Sequence, residues 1–157
     1  IYAIGDVIKG PMLAHKATEE AIAAVEIMAN QHRRVDHRLI PRVIYTSPEV
    51  ASVGPTEAQL QQKRIDYITG KFPFIANSRA TTIGNTDGFV KMLAHKKSDK
   101  ILGCHIIGPQ ASTLIAEVVA YMQLGGTVED IARTWHAQPT LSEAIKAAAL
   151  AINKRSI

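Results

Sequence analysis

The order of secondary-structure patterns constrains the fold of this chain more than any other sequence feature. Residues 42–107 contain a succession of short β-prone runs, and residues 111–152 contain helical patterns. Strands grouped before helices are typical of an α+β domain, whereas regular alternation would favour a parallel sheet. The runs 89–94 and 101–107 flank a turn at 97–99, which predicts an antiparallel hairpin. We therefore expect an α+β domain with a mostly antiparallel sheet and packed helices.

Local signals predict the remaining elements of this region. We expect strands at 42–46, 49–54 and 66–74, and helices at 56–63, 111–124, 127–135 and from residue 140 onward. Thr56 and Gln59 have the spacing of a capping box. The last helix is almost wholly apolar over residues 144–152. Its apolar surface is larger than we expect one small domain to cover. This segment therefore predicts a partner subunit, and a charge at Ala148 should disrupt the contact.

Residues 1–41 have a different pattern. The β-prone run 1–4 leads directly into Gly5-Asp6, and a strand that opens at residue 1 suggests a segment of a larger protein. Pro11 suits the first position of a helix that should end near Asn30. A basic connector follows at 32–38, and the pattern changes at residue 42. The sequence thus predicts two regions, 1–41 and 42–157.

Composition excludes several classes of function. The net charge is only +4 and aromatic residues are 5%, which disfavours a nucleic-acid groove. No apolar run approaches the roughly 18 residues of a membrane-spanning helix. The single cysteine, Cys104, excludes an internal disulfide or a two-cysteine redox centre and favours a reducing compartment. Cys104 lies in an apolar run, so we expect it in the core. The histidines lack metal-ligand spacing, and we expect no metal site.

The first candidate site combines a carboxylate with a helix start. Asp6 ends the first apolar run, where it could accept hydrogen bonds from a hydroxyl-rich ligand. The following segment, Met12, Leu13, Ala14 and His15, offers backbone N–H groups and the positive end of a helix dipole. The alternative interpretation is an ordinary turn aspartate before an amphipathic helix.

The second candidate site lies in residues 135–143. His136 and Glu143 are the ionisable pair of this stretch. Glu143 also completes a Thr140–Glu143 capping-box pattern, so its carboxylate could simply hold the helix start. His136 could equally be a hydrogen-bonded turn residue. The residues alone leave these alternatives open.

Three stretches together resemble the dihydrolipoamide dehydrogenases, a family of FAD-dependent pyridine nucleotide–disulfide oxidoreductases. They are residues 1–17 (IYAIGD followed by GPMLAHKA from residue 10), 43–50 (VIYTSPEV) and 136–144 (HAQPTLSEA). Residues 70–74, 77–80 and Gly108-Pro109 are similar to the same family. The resemblance follows the whole chain in order, which makes the set specific.

The resemblance implies that the two regions of the chain belong to two different domains. Residues 1–41 would be a strand–helix remnant of the FAD-binding domain, and 42–157 the C-terminal interface domain that forms the homodimer. Asp6 matches the family carboxylate that binds the ribityl chain of FAD, and Met12 to His15 match the family segment whose helix start faces the flavin's pyrimidine edge. The enzyme uses FAD and NAD to reoxidise dihydrolipoyl groups on the acyltransferase subunit of 2-oxo acid dehydrogenase complexes. It would act in the bacterial cytoplasm or the mitochondrial matrix.

Parts of the family pattern are absent from this sequence. There is no G-x-G-x-x-G and no cysteine pair. We therefore expect the isolated chain to be inactive and to bind neither cofactor by itself. The family's proton-accepting histidine stands directly before the proline of the third stretch, where this chain has Gln138. Glu143 is in place, and His136 matches a neighbouring histidine.

Two other assignments remain open. One is a non-catalytic dimerisation or docking module that has lost its proton acceptor. The other is the interface domain of a different disulfide reductase, similar to glutathione or mercuric reductase.

Overall fold

The computed structural model describes residues 1–32 and 34–155. Arg33, which belongs to the predicted basic connector, lies outside the described residues, as do Ser156 and Ile157. The chain forms two compact units, with the division between Ile40 and Pro41. Each unit is described by itself below.

The first unit contains one long helix between two short 3₁₀ turns. The turns are Gly5–Val7 and His37–Leu39, and helix α1 is Ala14–Met28. The strand predicted at residues 1–4 is wrong, because a strand requires a hydrogen-bonded neighbour and these residues pair with no other described segment. The predicted helix start at Pro11 is also wrong, since Leu13 is still extended and α1 begins after it.

The second unit is built on one antiparallel sheet, so the predicted α+β class is confirmed. Its strands are β1 Arg42–Ile44, β2 Glu49–Val53, β3 Tyr67–Pro73, β4 Phe89–His95 and β5 Ile101–Gly108. Their order across the sheet is β1-β2-β5-β4-β3. The predicted hairpin is β4–β5, in which Met92 lies opposite Cys104.

Five helices accompany this sheet. They are α2 Glu57–Gln62, α3 Ser78–Thr82, α4 Ala111–Gln123, α5 Val128–Arg133 and α6 Glu143–Ile152. The capping box at Thr56 and Gln59 is confirmed, with both hydrogen bonds present. Helix α3 was not predicted. It begins after Asn77, whose side chain accepts a hydrogen bond from the Ala80 N–H.

The core lies between the sheet and helices α4, α5 and α6. Helix α4 packs on β2 and β5, and α6 packs on β3 and β4. Alternate residues of the central strands enter this layer, among them Val90, Met92, Cys104 and Ile106. None of the helices in the described ranges is long and apolar enough to cross a membrane.

The apolar terminal helix is covered largely by its own unit. Ala144, Ile145, Ala148 and Ala149 are all buried in the core of the second unit. The expectation that a partner must cover this segment, with Ala148 as an interface residue, is therefore wrong. The apolar stretch is explained by the contact of α6 with the sheet and with α5.

Backbone contact between α6 and β3 depends on Gly70. A Cβ atom at this position would lie 2.1 Å from the Ala148 carbonyl oxygen and 2.8 Å from the Ile152 nitrogen. Both are backbone atoms, so no side-chain rotation could relieve the overlap. Glycine is required here for space alone.

We predict that Gly70→Ala destabilises the second unit. Overpacking a core typically costs about 1–3 kcal/mol, and here α6 would have to move away from the sheet. Thermal or denaturant unfolding measures the change, with the exposed neighbour substitution Thr69→Ala as the matched control. Equal stability of the two variants would contradict the close approach.

Candidate functional site

The first candidate region presents Asp6 on a single 3₁₀ turn. Asp6 is exposed, and its carboxylate makes no hydrogen bond to any residue in the described ranges. Helix α1 starts after Leu13, which is apolar and gives no side-chain cap. The first unit thus offers an exposed acceptor at Asp6 and a helix start without a side-chain hydrogen bond from its N-cap residue.

A buried ion pair holds this turn against α1. The Lys16 ammonium donates to the Gly5 carbonyl oxygen at 2.9 Å and to Glu20 Oε2 at 3.0 Å. The Gly5 N–H donates to the same carboxylate oxygen at 2.9 Å. Both polar groups of Gly5 are therefore bound by side chains one helical turn apart. This arrangement fixes the backbone directly before Asp6.

The Glu20 carboxylate is held in its ionised form. Burial by itself would raise the pKa of Glu20, but hydrogen bonds from His37, the Gly5 N–H and Lys16 outweigh it and lower the pKa to about 2. His37 Nε2 lies 2.8 Å from Glu20 Oε1. Lys16 and Glu20 were missed from the sequence. Their i,i+4 spacing was visible, but such pairs are usually solvated, and their burial could not be predicted.

The structure places the other predicted cofactor residues at the surface of this unit. Met12, Ala14 and His15 are exposed, and Leu13 is partly buried. They surround the start of α1, as the sequence suggested. Their role in cofactor binding stays a prediction.

The second candidate region is the segment between α5 and α6. Gln138 is exposed and precedes Pro139 through a cis peptide bond. Its side chain makes no hydrogen bond to a described residue. Gln138 thus faces outward with its amide available, but the amide has no basicity near neutral pH.

Glu143 holds the start of α6. Its Oε2 atom accepts a hydrogen bond from the Thr140 N–H at 2.9 Å. The Thr140 hydroxyl donates instead to the Ala137 carbonyl oxygen at 2.7 Å, so only half of the predicted capping box forms. Asn77 donates to the Thr140 carbonyl at 3.0 Å and ties this turn to the start of α3. One carboxylate oxygen of Glu143 is thus committed to the turn.

His136 is bound to a residue that the sequence did not indicate. Its side chain is only 5% exposed, and Nε2 lies 2.7 Å from Oε1 of Glu117 on α4. Its Nδ1 lies 3.1 Å from the Thr134 carbonyl oxygen. The structure therefore pairs His136 with Glu117 and not with Glu143. Glu117 was missed because it lies 19 residues earlier and only the packing of α4 brings it close.

The remaining candidates are the cysteine Cys104 and possible metal-ligand groups. Cys104 is fully buried, and burial raises the pKa of its thiol to about 12. The core interpretation of Cys104 is confirmed. Within residues 1–32 and 34–155, no group of three His, Cys, Asp or Glu side chains could hold a metal ion.

The second unit is an antiparallel sheet packed against helices α4, α5 and α6, with an exposed turn between α5 and α6. The family description "Pyridine nucleotide-disulphide oxidoreductase, dimerisation domain" matches residues 40–149. The chain belongs to this family.

Relatives extend the similarity to the whole chain. It is 55% identical to dihydrolipoyl dehydrogenase 1 (mitochondrial) of Arabidopsis thaliana over 100% of this chain and 31% of that protein. It is 52% identical to dihydrolipoyl dehydrogenase of Cupriavidus necator over 100% of this chain and 33% of the relative. A leghemoglobin reductase of Glycine max is 54% identical over 96% of this chain and 29% of its own length. The chain thus spans about a third of these relatives.

A solved structure shows the same fold. The crystal structure of LpdA from Mycobacterium tuberculosis matches with a TM-score of 0.89 and 28% identity, over 94% of this chain and 32% of that chain. The flavoprotein disulfide reductase RclA of Escherichia coli matches with a TM-score of 0.86 at 21% identity, over 94% of this chain and 34% of its own, which supports the fold alone.

We predict that the Gly5 amide reports the titration of Glu20. The pKa of Glu20 is lowered, so the stability that the pair contributes is complete above the ordinary value of 4.5 and is lost as the pH falls toward about 2. The chemical shift of the Gly5 amide should follow this transition in NMR spectra of the chain. Glu20→Gln is the control, in which the transition should disappear. A midpoint near the ordinary value in the unmutated chain would contradict the arrangement.

Proposed function

We propose that this chain works as the C-terminal third of a dihydrolipoyl dehydrogenase, in which it supplies the dimer interface and the segment that accepts the substrate proton. One observation carries the proposal. Identity to dihydrolipoyl dehydrogenases is 52–57% over 96–100% of the chain, which includes both candidate regions. The substrate would be a dihydrolipoyl group, with FAD and NAD as cofactors of the whole enzyme.

The first unit fits a role in holding FAD. The exposed Asp6 carboxylate can accept hydrogen bonds from the hydroxyl groups of a ribityl chain, and the uncapped start of α1 can face an electron-rich oxygen. Lys16 and Glu20 would keep the Gly5–Asp6 backbone in place for this contact. When bound, FAD would supply the two-electron acceptor. Within the whole enzyme, the residues of this chain would help to bind and orient it.

The second unit would contribute the segment in which the family has its proton acceptor. Oxidation of a dithiol requires that a thiol proton be removed, and a histidine is the usual acceptor near neutral pH. At the position that the resemblance assigns to this histidine, Gln138 can form hydrogen bonds but cannot take a proton. The Glu143 carboxylate accepts a hydrogen bond from the Thr140 N–H and so stabilises the turn that carries Gln138.

Gln138 also favours a second candidate function. A chain without the proton acceptor could serve as a non-catalytic dimerisation module. The two functions differ in whether this segment, in a complete enzyme, supports turnover.

The proposed partners follow from the resemblance. The dimerisation domain supports a homodimer. A lipoyl-bearing acyltransferase subunit would be the partner of the whole enzyme, in the bacterial cytoplasm or the mitochondrial matrix.

We predict that Gln138 limits turnover in a complete enzyme. The test replaces the aligned third of the pea mitochondrial dihydrolipoyl dehydrogenase, a 54% identical relative, with this chain. The chimera should bind FAD and dimerise but oxidise dihydrolipoamide slowly, because loss of a general base typically costs about 10²- to 10⁴-fold. Gln138→His should recover most of this rate, measured as steady-state NAD reduction.

A double variant serves as the control for this experiment. The gain from Gln138→His should vanish when Glu143→Gln is added, because the resemblance implies that the Glu143 carboxylate orients this histidine. If the unmodified chimera already turns over as fast as the Gln138→His form, the position of the base has been misassigned. If every form dimerises but none turns over, the dimerisation module is the better function.

We also predict that the chain self-associates. Obligate interfaces bury about 2,000 Å² or more of mostly apolar surface. Sedimentation equilibrium over a dilution series should give twice the 17.1 kDa mass of the chain. A single species of monomer mass at micromolar concentration would argue against an interface in this chain.

A further inference from the structure

Both ring nitrogens of His136 face atoms that accept hydrogen bonds. The Thr134 carbonyl oxygen, 3.1 Å from Nδ1, has no proton to give. This bond therefore exists only if Nδ1 carries a proton. On the other side of the ring, Nε2 lies 2.7 Å from Oε1 of Glu117.

The second contact requires one more proton. A neutral imidazole carries one proton, so with Nδ1 protonated its Nε2 has none. The lone pair of Nε2 would then point at a lone pair of the Glu117 carboxylate oxygen, and the two would repel. The pair must therefore share a proton. A carboxylic acid is a stronger acid than an imidazolium, so the proton that this geometry requires belongs on the ring. With both bonds made, His136 is an imidazolium cation beside a carboxylate.

Thr134 makes further hydrogen bonds, through its carbonyl oxygen and its hydroxyl group. The Lys146 ammonium on α6 donates to the same carbonyl oxygen at 2.8 Å. The Tyr121 hydroxyl on α4 makes a short hydrogen bond with the Thr134 hydroxyl. Among the residues that the structure describes, the charged or titratable side chains bonded to His136 and Thr134 are Glu117 and Tyr121 from α4 and Lys146 from α6. Together they tie the chain before Gln138 to two helices of the core.

We propose that His136 is a positioning residue, held as an imidazolium between Glu117 and the Thr134 carbonyl, and that this clamp fixes the segment from Thr134 to Thr140. A cation with both nitrogens protonated has no lone pair for a substrate proton. His136 therefore does not replace the missing base at position 138. This last consequence rests on the proposed function, whereas the clamp itself does not.

The protonation state is tested by nitrogen-15 NMR of the unmutated chain. At neutral pH, both ring nitrogens of His136 should have protonated-type shifts, and the signal is assigned by its loss in His136→Gln. In Glu117→Gln, the amide N–H₂ can donate to a bare Nε2, so the ring should return to one protonated and one bare nitrogen. A bare Nε2 in the unmutated chain would overturn the proposal.

The positioning role is tested through Trp135, the only tryptophan of the chain, which adjoins His136 and is 97% exposed. Its time-resolved fluorescence anisotropy should show greater local motion in Glu117→Ala, while Glu117→Gln should stay close to the unmutated chain. Glu57→Ala is the matched control, since it removes another carboxylate of the same unit, one bound to Lys91 at 2.7 Å. Unchanged motion in a folded Glu117→Ala would also overturn the clamp.

These measurements require no turnover. Failure of the chimera experiment with an intact imidazolium signal would reject the proposed enzyme function alone. If NMR shows a bare Nε2 while the Gln138→His chimera is active, only the clamp is rejected.

Discussion

The close approach of α6 to β3 is the constraint on which the second unit depends. Gly70 lets the Ala148 carbonyl come nearer to the strand than any side chain would allow. Helix α6 therefore lies directly on the sheet and also packs on α5. The turn that joins α5 to α6 ends at Glu143, whose carboxylate accepts a hydrogen bond from the Thr140 N–H. Gln138 is exposed in this turn.

Each unit combines an exposed candidate residue with a pair of oppositely charged side chains, buried in the first unit and partly buried in the second. In the first unit, Lys16 and Glu20 hold the backbone that carries Asp6. In the second, Glu117 and His136 hold the segment that carries Gln138. A buried pair is a weak source of stability, since desolvation offsets much of the attraction, but its geometry is exacting. Such pairs are better suited to fixing a backbone than to strengthening a fold.

Sequence patterns were sufficient where a local signal determines the structure. The β4–β5 hairpin and the cap at Thr56 depend on neighbours within a few residues, and both formed as predicted. The prediction of a strand at residues 1–4 was wrong, because β-propensity does not supply a pairing partner. The apolar stretch of α6 was assigned to the wrong surface, because its spacing cannot tell a sheet of the same chain from a second subunit.

The candidate sites divide in the same way. Glu143 was placed at a helix start by its spacing from Thr140, and the structure puts it there. Glu117 has no sequence signal, because only the packing of α4 on the sheet brings it to His136. Lys16 and Glu20 had the spacing of an ordinary surface pair. Burial, which gives these residues their significance, is a property of the folded chain.

The buried Cys104 has a chemical consequence for a protein that would work among dithiols. Thiol–disulfide exchange needs a thiolate with access to the attacking sulfur. With its pKa raised to about 12 and no exposed surface, Cys104 meets neither condition. It cannot trap a lipoyl group or glutathione as a mixed disulfide. The one thiol of this chain therefore serves packing and not electron transfer.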